Sequence, residues 1–152
     1  QRIALRGESA GGHLVSWIGP RPEPGVAAVV PFYAPHDLEL QVDNRKELGP
    51  SMIALFGLTE LNDAARQTLR AASPSTHVRS QMPPYLLIHG DADAQVPYEQ
   101  SPRFRDQMQD AGNTCALITI AAGAHGLGGW DKLHSDYREQ LIAWLRKTLD
   151  AR

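Results

Sequence analysis

Ser9, the acids Asp91 and Asp93, and His125 supply a hydroxyl, a carboxylate and an imidazole in that order along the chain. Together such groups turn an unreactive alcohol into a nucleophile. A serine hydroxyl attacks a carbonyl when it is exposed, when a neighbouring base takes its proton, and when hydrogen-bond donors face the oxyanion that forms. Ser9 stands in Gly7-Glu8-Ser9-Ala10-Gly11-Gly12-His13, directly after the apolar run Arg2-Ile3-Ala4-Leu5-Arg6. A G-x-S-x-G sequence between a strand and a helix pushes its serine to the tip of a sharp turn. Gly7 and Gly11, two residues either side of Ser9, are expected to be glycines because a Cβ at either would collide where the chain reverses. The Ala10 N–H is then the backbone donor aimed at a substrate carbonyl oxygen.

These groups need elements that bring them together. Pro83-Pro84 precedes Tyr85-Leu86-Leu87-Ile88-His89, a short apolar run of strand type, and Gly90-Asp91-Ala92-Asp93 follows as a loop. The β-rich run Thr114 to Ile120 leads into Ala121-Ala122-Gly123-Ala124-His125-Gly126, so His125 also lies in a loop after a strand. In a parallel sheet all carboxyl-terminal strand ends lie on one edge. Ser9, the Asp91/Asp93 loop and His125 would therefore converge, although 84 residues separate Ser9 from Asp93 and 32 separate Asp93 from His125. Val26 to Val30 reads as a further buried strand, and Gly19-Pro20-Arg21-Pro22-Glu23-Pro24-Gly25 as the turn before it. Ala10 to Ile18 and Pro97 to Ala111 read as helices, the latter stopped by Gly112-Asn113. Ser135 is placed to cap a last helix through Leu149, whose Tyr137, Leu141, Trp144, Leu145 and Leu149 form a core-packing stripe. Between the second strand and Pro84, helical segments are expected at Asn44 to Phe56 and Glu60 to Ala71, separated by Gly57-Leu58-Thr59.

The chain resembles the carboxyl-terminal part of an α/β-hydrolase, and within that superfamily the serine esterases of the hormone-sensitive-lipase and bacterial feruloyl-esterase-like groups. The matching stretches are Arg2 to Leu14, Ala72-Ser73-Pro74, His89-Gly90-Asp91-Ala92-Asp93-Ala94-Gln95-Val96-Pro97 and Gly123-Ala124-His125-Gly126. The resemblance implies an α/β class chain, a mostly parallel sheet with flanking helices and a small helical cap insertion at about residues 38–72. It also implies Asp93, three residues before Val96-Pro97, as the acid that orients His125. The activity implied is hydrolysis of carboxylic esters of short-acyl, acetyl or feruloyl type through an acyl-enzyme on Ser9, with a small-molecule ester as partner and no cofactor. A prolyl-oligopeptidase-type peptidase, an arylformamidase and a non-catalytic binding module that keeps the fold are the alternatives.

Other residues carry plainer readings. Leu127 and Trp130, just after His125, are candidates to line the substrate pocket, and an aromatic there can equally pack the loop. Asp91 would bond loop N–H groups. Glu8 reads as a hydrogen-bonding carboxylate, and His13, His36, His77, His89 and His134 as structural or solvated. The single Cys115 sits in an apolar run and reads as a small buried hydrophobe. No metal is expected, since the histidines and carboxylates lack ligand spacings such as H-E-x-x-H.

The 15 basic and 17 acidic residues, with a formal net charge of −2, argue against a nucleic-acid partner. No apolar stretch approaches the roughly 18 residues of a membrane span. The family places four strands and a His-Gly-Gly oxyanion motif ahead of the nucleophile, and no His-Gly-Gly occurs between Gln1 and Arg152. The expectation is therefore a partial domain, whose amino-terminal half or a partner chain covers the open edge of the sheet.

Overall fold

The structure, a computed structural model, describes residues 3–22 and 25–150. Arg2 of the first expected strand, and Glu23 and Pro24 of the expected turn, lie outside the described residues. Four strands, β1 (Ile3–Glu8), β2 (Val26–Phe32), β3 (Tyr85–Gly90) and β4 (Cys115–Ile120), form one sheet in the order β1-β2-β3-β4. Every neighbouring pair is parallel. The chain is thus α/β, and the four carboxyl-terminal strand ends share one edge, as the sequence leads one to expect.

Burial follows from position in the sheet. β2 and β3 are buried along their whole length, which accounts for the unbroken apolar runs Val26 to Val30 and Tyr85 to Ile88. β1, at the edge, alternates between half-buried and exposed residues before Gly7. Side chains of alternate strand residues feed two cores. On one face Val30, Phe32, Leu86, Ile88, Ile118 and Ile120 pack against Trp130, Tyr137 and Trp144. On the other, Val29, Tyr85, Leu87 and Cys115 meet Val15, Phe104 and Met108. Helices α1 (Ala10–Ile18) and α5 (Gln100–Asp110) supply the second face, and α6 (Trp130–Leu133) and α7 (Tyr137–Asp150) the first.

Residues 38–72 form three helices, where two were expected. These are α2 (Leu38–Arg45), α3 (Pro50–Phe56) and α4 (Asp63–Ala72). The expected helix from Asn44 to Phe56 is broken because Lys46 is left-handed and closes α2, while Pro50 opens α3 from its first turn. Asp37 and Asn62 cap α2 and α4 by accepting from Leu40 N–H and Ala65 N–H. These helices have their own apolar cluster, centred on Leu38, Val42 and Leu69. Two other boundaries also move. α5 begins at Gln100, since Pro97 to Glu99 form a turn ahead of it, and α7 begins at Tyr137, two residues beyond Ser135. No helix among the described residues is long and apolar enough to cross a membrane.

Candidate active site

Ser9 follows β1 at φ 52° and ψ −119°, a strained conformation for a residue with a Cβ. Its backbone is pinned on both sides, by Ser9 N–H donating to Phe32 O and by His13 N–H donating to Ser9 O. Serine at a helix N-cap usually turns its hydroxyl back onto the first-turn N–H groups. Ser9 makes no such bond, and its Oγ lies 3.0 Å from His125 Nε2 instead.

Two glycines close this turn, and they are not the symmetrical pair expected. A Cβ on Gly7 would stand 2.1 Å from Gly11 O, whereas one on Gly11 would meet nothing within 4 Å. The second tight position is Gly12, where a Cβ would lie 2.7 Å from the Ala34 Cβ. Gly11 falls inside the first turn of α1 with its α-carbon facing open space, so the collision expected there does not arise. Ala10 N–H is at the first position of α1, where a helix offers it no acceptor.

The structure brings Asp93 and His125 to Ser9 in one hydrogen-bonded series. His125 Nδ1 is 2.7 Å from Asp93 Oδ2, and the Asp93 side chain is wholly buried while that of His125 keeps 15% exposure. Burial works to raise the Asp93 carboxyl, but donors outweigh it. His89, the Val96 and Gln95 N–H groups and His125 together hold it down at about 2, so it is the anion at neutral pH. Asp91 has another task, accepting from Ala122 N–H at 2.6 Å. That bond, with Ala92 N–H on Gly123 O at 3.0 Å, stitches the Asp93 loop to the His125 loop. A Cβ on Gly90 would stand 2.1 Å from Gly123 O, so the two loops touch backbone to backbone.

Of the two readings of Trp130, pocket lining and loop packing, the structure shows the second. Trp130 is wholly buried, stacked on Phe32 and edge-on to Tyr33 and Tyr137, and its indole N–H donates to Ala124 O. It therefore packs the loop that carries His125 and lines no opening. Leu127 borders a surface cavity of about 280 Å³ with Arg6, Phe32 and Leu141. A separate apolar cavity is lined by Ala10, the residue after Ser9. It measures about 120 Å³ and is also lined by Pro35, Leu38, Met52, Leu55 and Phe56, with His13 and Ser51 as its polar members.

Tyr33 was missed from sequence. It follows β2 at φ 36°, sets its ring edge-on to the His125 imidazole at 4.7 Å, and donates its hydroxyl to Glu8 Oε2 at 2.5 Å. That bond, with Arg6 paired to the other carboxylate oxygen, lowers the Glu8 carboxyl below its usual range. Each of the four strands thus delivers one residue to the site. The signal available was an aromatic, Tyr33, directly after the buried strand β2. Three other histidines have structural surroundings. His13 Nε2 is 2.9 Å from Ala72 O, His77 Nε2 is 2.8 Å from Ala71 O, and His36 is buried against Phe104. Among the described residues no group of three or more His, Cys, Asp or Glu side chains is arranged to hold a metal ion.

The family model of the prolyl oligopeptidase family matches residues 1–152. Among curated proteins, "Probable carboxylic ester hydrolase LipM" of Mycobacterium tuberculosis is 34% identical over 119 residues, covering 70% of this chain and 28% of its own length. "Esterase LipQ" of the same organism is 30% identical over 135 residues, covering 81% of this chain and 32% of its own length. The chain thus spans about a third of the length of these relatives. Among solved structures, an esterase of Thermogutta terrifontis, Est2, matches with a TM-score of 0.70 and 27% identity, over 95% of this chain and 54% of that one.

Proposed function

The chain belongs to the prolyl oligopeptidase family of α/β-hydrolases, and from that premise we propose that it hydrolyses carboxylic esters through an acyl-enzyme on Ser9. The observation that carries this reading is the series Ser9 Oγ, His125 Nε2, His125 Nδ1 and Asp93 Oδ2, with contacts of 3.0 and 2.7 Å. His125 takes the Ser9 proton as Oγ bonds to the ester carbonyl carbon, and the resulting oxyanion faces Ala10 N–H. As the tetrahedral species collapses, the C–O bond to the alcohol breaks and His125 hands its proton to the leaving oxygen. Water, deprotonated by the same imidazole, then bonds to the acyl carbon, the acyl C–Oγ bond breaks, His125 returns the proton to Ser9 Oγ, and the acid leaves. Asp93 stays ionised and stabilises the imidazolium.

The pocket between Ala10 and α3 is the proposed seat of the substrate's apolar part, and its volume of about 120 Å³ suits a short acyl chain or part of one ring. α2 to α4 would act as the cap, since α3 forms one wall of that pocket. Leu127 remains a proposed substrate contact, at the margin of the His125 loop. Within the sheet, β1 has β2 as its one described neighbour, and one N–H is fewer donors than an oxyanion usually receives. A strand beside β1 and a further oxyanion donor would come from residues outside 1–152. The names of LipM, LipQ and Est2 favour esters over peptides as substrates.

The test is turnover of p-nitrophenyl esters and covalent labelling by a fluorophosphonate, in the native protein and in Ser9→Ala. Both should be lost in the folded variant. Labelling that persists there would overturn Ser9, and cleavage of acyl-peptide anilides in preference to esters would favour a peptidase.

A further inference from the structure

Four groups meet the Asp93 carboxylate, and His125 is only one of them. Oδ1 accepts from Gln95 N–H at 2.8 Å and Val96 N–H at 2.9 Å. Oδ2 accepts from His125 at 2.7 Å and faces Nε2 of His89 at 3.3 Å. His89 is the last but one residue of β3 and, like Asp93, has no exposed side-chain surface. Its Nε2 also lies 3.2 Å from Val96 O. Both neighbours of that nitrogen are therefore acceptors, and a ring nitrogen placed between two acceptors has to carry a proton. The opposite nitrogen, Nδ1, is 2.8 Å from Ser101 Oγ at the start of α5. In the neutral ring Nδ1 holds the lone pair, and the Ser101 hydroxyl donates to it.

We infer that His89 is a positioning residue for the Ser9 reaction, locked by Ser101 as the Nε2–H tautomer and holding Asp93 Oδ2 in line with His125. The inference rests on the proposed hydrolase reading of the same site. A carboxylate on a loop can rotate about its last torsion, and the two Oδ1 bonds alone leave Oδ2 on a hinge. His89, itself steered by Val96 O, closes that hinge from β3, a strand buried along its whole length. The titratable groups that feel Asp93 are His125, His89 and, through its field, Tyr33. Removing the His89 donor leaves more of the Oδ2 charge facing His125, which favours the protonated imidazole.

Two substitutions separate positioning from packing. The amide nitrogen of glutamine reaches the place of a histidine Nε2, and that of asparagine reaches only the place of Nδ1. With a p-nitrophenyl ester, His89→Asn should lower kcat by between about 10- and 100-fold with KM within about twofold. The acid limb of its kcat/KM profile should move to higher pH, while His89→Gln stays within about threefold of the parent at every pH. Equal losses in the two variants with unmoved pH profiles would reduce His89 to packing and overturn the inference. ¹⁵N NMR of the native chain reads the tautomer without any substitution, and a proton found on Nδ1 overturns it as well. Nε2–H together with an unlabelled Ser9 would instead overturn the hydrolase reading and leave the His89 contact standing.

Discussion

Gly7 and Gly11 approach so closely that a Cβ on Gly7 would stand 2.1 Å from the Gly11 carbonyl oxygen, while the reverse substitution meets open space. The last residues of β1 and the first turn of α1 are thus in backbone contact, and the relation is one-sided. Gly7→Ala should cost about 3 kcal/mol or more, because neither backbone can yield without moving Ser9. Gly11→Ala should be neutral or up to about 1 kcal/mol stabilising, as for any glycine replaced inside a helix. Denaturant midpoints of the two variants decide this, and equal losses would refute the asymmetry.

Ser9 holds φ 52° with a Cβ attached, and such conformations cost about 1 to 3 kcal/mol. Both Ser9→Ala and Ser9→Gly should abolish hydrolysis, but Ser9→Gly should fold more stably than Ser9→Ala by about 1 kcal/mol. Thermal unfolding of the pair measures the strain held at the turn. A glycine variant no more stable than the alanine variant would show that the turn is relaxed.

Asp93 and Asp91 differ in what they touch, so their asparagine variants should differ in kind. Asp93→Asn removes the charge beside His125 and should lower kcat by up to about 10⁴. Asp91→Asn keeps an acceptor for Ala122 N–H and should cost less than tenfold (~1 kcal/mol). A reversed order would make Asp91 the acid. The Asp93 carboxyl, lowered from 3.8 to about 2, stabilises the fold at any pH above its unfolded value. That contribution is lost as pH falls from about 4 through about 2, and is on the order of 2 kcal/mol. Acid unfolding of Asp93→Asn should lack this component.

Cys115 is buried at the start of β4, and burial pushes its thiol up to about 12. At pH 8 the native protein should react with an aromatic disulfide reagent at least about 100-fold more slowly than the urea-unfolded chain. Prompt reaction of the folded protein would mean that β4 opens readily.

The strands and the loops after them were legible because their signals are local. Apolar runs bounded by Gly and Pro mark β2 and β3, and a motif whose order matches the strand order brings Ser9, Asp93 and His125 to one edge. What escaped depends on contacts between elements. Whether Gly11 or Gly12 is the tight glycine is set by Ala34, a residue after β2 that no local pattern ties to α1. Trp130 reads as a pocket aromatic from its distance to His125, yet the indole finds its acceptor in Ala124 and its stacking partner in Phe32. His89 reads as the end of a strand, and only the folded loop shows Asp93 returning over it.

The bond between Ser9 and His125 spans 116 residues of sequence, and His125 arrives after β4, the last of the four described strands. Loop closure over such a span rewards nothing until the intervening strands have docked. A nascent chain therefore carries Ser9 long before it carries His125. On the proposed reading, reactivity waits for β4 to dock, and the rate at which a refolding sample becomes open to phosphonate capture would time that docking.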